Sequence, residues 1–153
     1  MAKADRTIDP RIMESAKGEF LQKGFLNASL QEICEKAGVT TGALYKRFKG
    51  KEELFCTLVE STVQDLEEVV RQKSVLPTAL TDEQLKKAWD MDREYMQQWF
   101  DFLYDRYDAM RLLLACAEGT KYSDFEHTWV ENMSQTTYAY YKEAQRRGLT
   151  KTD

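Results

Sequence analysis

Residues 29–54 read SLQEICEKAGVTTGALYKRFKGKEEL. Ser29 can accept a hydrogen bond from the backbone N–H of Glu32 while the Glu32 carboxylate reaches back, a reciprocal capping box that starts a short helix. Leu30, Ile33, Cys34 and Ala37 recur at helical spacing as its apolar stripe. Gly38 then supplies the left-handed residue that ends it, and Val39 plugs the turn. Thr40 or Thr41 can cap a second helix running from Thr41 to Arg47, in which Leu44 and Phe48, four apart, face the core. At about 100° per residue, Gly42 and Lys46 lie opposite that side, with Ala43 and Tyr45 on the flanks. Gly42 and Ala43 allow close approach to a groove, and Ala43 can touch a thymine methyl. Lys46 can reach a base edge or a phosphate, and Tyr45 can donate to a phosphate. The stretch reads as a helix-turn-helix.

The charge distribution agrees with that reading although the chain as a whole carries a net charge of −4. Residues 1–51 hold ten basic and six acidic side chains, net +4, which leaves −8 for residues 52–153. Lys46, Arg47, Lys49 and Lys51 fall within six residues, where they can neutralise phosphates and make binding depend on salt.

The spacing from Ile12 to Phe55 resembles the tetracycline-repressor (TetR) family of bacterial transcriptional regulators. It is carried by Ala16, Phe20-Leu21, Gly24-Phe25, Ser29, Glu32-Ile33, Ala37-Gly38-Val39-Thr40, Gly42, Leu44-Tyr45, Phe48 and Lys51-Glu52-Glu53-Leu54-Phe55. The resemblance implies an all-α protein: a three-helix DNA-binding head, residues 1–50, joined by a long connector helix to a helical effector-binding and dimerisation bundle, residues 51–153. Carried over by position, Ser29, Thr40, Thr41, Gly42, Ala43, Tyr45, Lys46, Arg47 and Lys51 contact DNA. Cys34 stands where the family usually has alanine, and Arg47 where histidine or tyrosine is frequent. The implied partners are double-stranded operator DNA, a hydrophobic small-molecule effector and a second copy of the chain. Two protomers then insert their Thr41 to Arg47 helices into successive major grooves about 34 Å apart and repress until an inducer changes that spacing. Similar proteins continue for two more helices that form the intersubunit bundle, whereas this sequence stops at GLTKTD. A truncated chain is therefore expected, or one that dimerises through the helix from Ser123 to Arg147, with Trp129, Met133 and Tyr140 at the interface.

Beyond the head, two prolines and seven glycines fall almost entirely at helix boundaries, and no strand-like alternation occurs. Asp9-Pro10 is read as opening the first helix and Gly24 as closing it, with Ile12, Ala16 and Phe20 inward. A connector helix is expected from Lys51 to about Ser74, burying Phe55, Val59, Val63, Leu66 and Val70 and not the line through Leu54 and Leu58. Pro77 ends it. Thr81 with Gln84 makes a second capping box before a helix expected to run to about Tyr107. Asp108 is read as the cap of a helix ending near Gly119. Ser123 with Glu126 is a third box opening a helix that Gly148 stops.

Thirteen of the eighteen aromatic residues lie between Asp82 and Tyr141, with Met91, Met96, Met110 and Met133 among them. A bundle this small has little room to bury them all, and Tyr and Trp need partners for their polar tips, so some are expected to line a cavity. Trp89, Met96, Trp99, Phe100, Leu103, Tyr107, Leu113, Phe125, Trp129 and Met133 are the candidate ligand-binding residues. Asp92, Glu94, Asp101, Asp105 and Glu118 among the rings suit either a cationic lipophile or simple solvation.

Catalysis finds little support. His127 is the only histidine, and neither a Gly-rich phosphate loop nor a nucleophile elbow is present; no cofactor or metal is expected. Cys34, Cys56 and Cys116, an odd number at wide spacing, read as reduced buried thiols. No apolar run approaches a membrane span and the first residues lack a signal-peptide core, so the expected location is the cytoplasm. Two other readings share this sequence: a helical protein-interaction module, and a DNA-binding protein controlled by a partner without a small-molecule inducer.

Overall fold

The computed structural model describes residues 8–73 and 75–151, which fold as eight α-helices and a 3-10 turn with no strand. The helices are α1 (Ile8–Asn27), α2 (Leu30–Ala37), α3 (Thr41–Tyr45), α4 (Lys51–Lys73), α5 (Asp82–Lys87), α6 (Arg93–Tyr104), α7 (Tyr107–Ala115) and α8 (Phe125–Arg146), with the turn at Pro77–Ala79. No helix among these residues is long and apolar enough to cross a membrane. They form two compact units: residues 8–63 with Arg106–Phe125, and Gln64–Asp105 with residues 126–151. Helix α4 contributes to both units, and α7 belongs to the first.

In the first unit α1 packs on α2 and on α7. Its core is built from Ile12, Ala16, Phe20, Ile33, Leu44, Leu54 and Phe55, all essentially solvent-free. The rings of Phe20, Phe25 and Phe55 meet with centroids 5.3 to 5.8 Å apart, in tilted and edge-on geometries that favour aromatic pairs. Leu54 is buried with Phe55, against the expectation that only one line of α4 faces inward; the first turns of α4 are enclosed within this core. Val59, Val63 and Leu66 follow as expected, and Val70 is half-buried. The expected end of the connector at Ser74 lies outside the described residues. Gly24, at φ 75°, breaks α1 where closure was expected, while Asp9 and Pro10 lie inside its first turn. Pro10 is tolerated there because N–H groups of the first turn have no intrahelical acceptor.

Polar ties complete this unit. Lys23 bridges the buried Glu19, at 2.6 Å, and Glu32, so the Glu32 carboxylate is drawn to a lysine and the expected reciprocal half of the Ser29 box is replaced by an ion pair between α1 and α2. Ser29 itself accepts from the Glu32 N–H. Asp108 does not cap α7, whose first flanking residue is Arg106; its carboxylate lies 3.4 Å from Lys17 of α1. The Phe25 N–H donates to the Cys116 carbonyl at 3.0 Å, and Gly119, at φ 88°, lies so close to Leu26 that a Cβ there would collide with it.

The second unit departs most from expectation. The helix expected from Thr81 to Tyr107 is two helices, α5 and α6. Both halves of the Thr81–Gln84 box form, but α5 ends at Lys87 and Asp92 starts α6 by accepting from the Tyr95 N–H at 2.7 Å. An aspartate that can cap competes with helix continuation, and here it wins. Before α8, at the end of the first unit, the turn is held by Thr120, whose hydroxyl donates to the Ala117 carbonyl and accepts from the Tyr122 N–H; α8 then begins at Phe125. At its other end Glu143 binds both Arg146 and Arg147. Arg147 in turn donates to the carbonyls of Pro77, Thr78 and Leu80 and pairs with Asp82 at 3.0 Å. Gly148 stops the helix at φ 69°.

Candidate nucleic-acid interface

The recognition element begins with two turns that fix its direction. Gly38 adopts φ 68°, ψ 36°, and its N–H returns to the end of α2. Thr40, in extended backbone, accepts from the Ala43 N–H at 3.1 Å and opens α3. The helix proper is five residues long, Thr41–Tyr45, shorter than the expected span to Arg47. Winding tightens after it: the Arg47 N–H goes three residues back to Leu44, and the Phe48 N–H shares the same carbonyl, each at 2.9 Å. Glycine and a single apolar anchor leave so short a helix with little stability of its own, so its position comes from packing. Leu44 is fully buried and Phe48 half-buried.

What remains outward is the face expected from periodicity. Thr41, Gly42, Tyr45 and Lys46 are exposed, Tyr45 by 56%, and Ala43 is half-exposed. Ser29 and Thr40 use a hydroxyl lone pair as cap acceptors, and each keeps its O–H to donate. Arg47 and Lys51 are placed differently. The Arg47 guanidinium donates to the Ala43 carbonyl at 3.1 Å and pairs with Asp9 of α1 at 2.6 Å, holding α3 onto α1. The Lys51 ammonium donates to the carbonyls of Leu26 and Ala28, each at 3.2 Å, and lies 4.6 Å from the Phe25 ring centroid. Of the four clustered cations, Lys46 and Lys49 are the exposed ones.

The ten candidate ligand residues fall in both units. Tyr107, Leu113 and Phe125 belong to the first unit, where Leu113 is core and Tyr107 is 55% exposed. The other seven lie in the second unit. Trp129 and Met133 line an open groove of about 580 Å³ along α8, with Val130, Thr137, Tyr138 and Tyr141. Trp99 stacks on Phe102, centroids 5.5 Å apart and planes 8° from parallel, in a smaller crevice of about 220 Å³. Trp89 meets Tyr140 edge-on at 5.8 Å, Met96 and Leu103 are half-buried, and Phe100 is exposed.

Composition missed the other walls of the smaller crevice, Val69, Gln72 and Lys73 from α4 and Tyr95 and Gln98 from α6. Their signal was positional: Tyr95, Gln98, Trp99 and Phe102 recur at helical spacing, as do Val69, Gln72 and Lys73. His127 is on the surface, 3.9 Å from Glu131. Cys34 and Cys116 are buried and Cys56 half-buried, and burial pushes all three thiols up, away from the reactive thiolate.

Residues 12–57 match the model of the bacterial regulatory proteins of the tetR family. Over 66 residues the chain is 39% identical to the HTH-type transcriptional regulator SrpR of Pseudomonas putida, covering 43% of this chain and 30% of that protein. Over 103 residues it is 28% identical to the HTH-type transcriptional activator FasR of Mycolicibacterium smegmatis, covering 67% of this chain and 43% of that protein. The chain thus spans less than half the length of these curated relatives. Among solved structures, a transcriptional regulator of the TerR/AcrR family from Aquifex aeolicus VF5 shares the fold with a TM-score of 0.52 at 23% identity, over 91% of this chain and 72% of that one.

Proposed function

We propose that the chain, whose residues 12–57 match the model of the bacterial regulatory proteins of the tetR family, is a ligand-responsive transcriptional regulator whose α3 reads operator DNA. The observation that carries this reading is the division of labour on α3. Leu44 is buried and Arg47 is tied to α1, so that Thr41, Gly42, Ala43, Tyr45 and Lys46 can be presented together in one fixed orientation. Gly42 and Ala43 let the backbone approach base edges, with the Ala43 methyl suited to a thymine methyl. Lys46 reaches a base edge or phosphate, Tyr45 donates to a phosphate, and the hydroxyls of Ser29, Thr40 and Thr41 donate to the backbone alongside. Arg47 and Lys51 serve mainly by holding the helix where these contacts need it.

One head reads one half-site, so a homodimer on a pseudo-palindrome supplies the affinity that a single five-residue helix does not, with half-sites about one turn (~34 Å) apart. Acting in the cytoplasm, such a dimer represses by occupying its operator. A hydrophobic small molecule bound in the second unit releases it by favouring a conformer whose heads no longer match that spacing. This requires only that the ligand prefer that conformer, by about 1–3 kcal/mol. SrpR and FasR are a regulator and an activator by name, which supports gene control as the shared role and leaves its sign to experiment.

The test is gel-shift titration of the full chain on a fragment of its own upstream DNA and on an unrelated duplex of equal length. Binding of the upstream fragment that survives excess unrelated competitor supports the reading. Equal binding of both duplexes, or none, contradicts it.

A further inference from the structure

We propose that the crevice between the last turns of α4 and the middle of α6 is a binding site for small aromatic monocarboxylates, with Lys73 as the residue that recognises the carboxylate. The proposal rests on the ligand-responsive reading above and adds the place, charge and size of the ligand.

The lining sorts into three kinds of surface. Trp99 and Phe102 make a stacked aromatic floor, continued by Val69 and Tyr95. Gln72 and Gln98 contribute neutral amides, and Lys73 is the one charged side chain that lines the crevice. Its ammonium donates to the Ala88 carbonyl at 2.8 Å and lies 5.0 Å from the Trp89 and 5.2 Å from the Tyr95 ring centroid. An ammonium has three N–H donors, so one carbonyl leaves two for a ligand. Ring faces position a cation without neutralising it. Among the described residues no carboxylate lies within ion-pair distance of Lys73, and its positive charge is left for an anion.

The carboxylates that lie among the rings in sequence argue in the same direction. Asp92 caps α6, Glu94 accepts from Gln98 and Asp101 from Gln97, while Asp105 and Glu118 are exposed. None of the five lines the crevice. These five carboxylates therefore stand outside the crevice, whose one charged lining side chain is the Lys73 ammonium. A cationic lipophile, which composition alone allows, would meet Lys73; an anion of the same shape gains from it. The volume of about 220 Å³ lies below the roughly 300–1,000 Å³ of sites that hold drug-sized molecules, which limits the ligand to one small ring system. An offset-stacked ring on Trp99 and Phe102 satisfies the floor, and a carboxylate on the same ring reaches the cation at the rim.

Isothermal titration calorimetry of the full chain against three isosteres tests this: 2-naphthoate, 2-naphthamide and 2-naphthylmethylammonium. Naphthoate should bind tighter than the neutral amide by about tenfold or more, the factor a hydrogen bond to a charged group carries, and the cation weakest. Lys73→Met should bring naphthoate to the level of the amide, and Lys73→Arg should restore most of the preference. Equal affinities for the three, tightest binding of the cation, or undetectable naphthoate binding would each overturn the proposal. The wild-type comparison decides the matter even where Lys73→Met folds poorly. Operator binding measured in parallel separates the two readings. Naphthoate that binds through Lys73 without altering DNA affinity upholds the site and refutes its regulatory use. A chain that shifts operator DNA but ignores naphthoate refutes the site alone.

Discussion

Lys46 and Lys51 stand five residues apart in one basic cluster, yet their surroundings assign them different work. Lys46 is exposed beside Tyr45, whereas Lys51 closes the end of α1 through two carbonyls and the Phe25 ring. Replacing Lys46 by Ala is expected to relax preference at one operator position by about 1–3 kcal/mol, read from affinities across single-base operator variants. Wild-type discrimination at every position would contradict the assignment. Lys51→Met instead leaves the Leu26 and Ala28 carbonyls short of a donor. It should lower the unfolding free energy by about 1–3 kcal/mol in chemical denaturation while the salt slope of DNA binding stays as in the wild type. A flattened slope without loss of stability would restore Lys51 to the phosphate-contacting role that family position gives it. The basic cluster was legible from residue types alone. Which of its members are engaged internally was not, because that depends on where α1 ends and on which carbonyls its last turn leaves open.

At the scale of elements, caps and glycines were the most legible signals. Ser29, Thr40 and Thr81 cap as their residue types suggest, and Gly24, Gly38, Gly119 and Gly148 all have positive φ. Errors arose where two polar groups competed for one partner. Glu32 pairs with Lys23 and not with the Ser29 N–H, Asp108 with Lys17 and not with a helix end, and Asp92 starts a helix in the middle of an apolar-periodic stretch. Gly119→Ala tests the packing of the segment after α7 on α1. With φ 88° and Leu26 in the way, it should cost more than Gly38→Ala, whose added methyl finds its nearest neighbour 3.9 Å away. Strain of the left-handed backbone alone is about 1–2 kcal/mol, so a larger loss at Gly119, seen as the lower melting temperature of the two variants, is the expected result. The end of α8 carries a pH signature. Hydrogen bonds from Arg146 and Arg147 hold the Glu143 carboxyl down at about 2, below its ordinary 4.5. A depressed carboxyl contributes stability that is fully present above its unfolded value and is lost as pH falls toward 2. Melting temperatures recorded from pH 6 to pH 2.5 should therefore fall less steeply for Glu143→Gln than for the wild type.

For the whole molecule, the head could be recognised from its sequence because its packing is local and each turn has a signature residue. The aromatic half could not be resolved in the same way. Thirteen rings at helical spacing suit a core, a groove or an exposed face equally well, and only the partner elements decide among them. Among the described residues, Trp99 and Phe102 line a crevice, Trp129 and Tyr138 line an open groove along α8, and several rings are in solvent. The division of charge, +4 over residues 1–51 against −8 for the remainder, was legible, and it bears directly on how the molecule meets a polyanion. Because only the head is basic, affinity for DNA should come from a few phosphate contacts and be steep in salt, with the acidic remainder opposing nonspecific adsorption.

The most direct measurement is fluorescence anisotropy of the full chain on a labelled duplex of its own upstream DNA, across a salt series from 50 to 200 mM (a range of ordinary use), for the wild type and Lys46→Ala. Log K should fall linearly with log salt, and Lys46→Ala should lower the preference for the upstream sequence over a scrambled one by about 1–3 kcal/mol. Salt-independent binding, or an unchanged preference in the variant, would contradict the claim that α3 reads the operator.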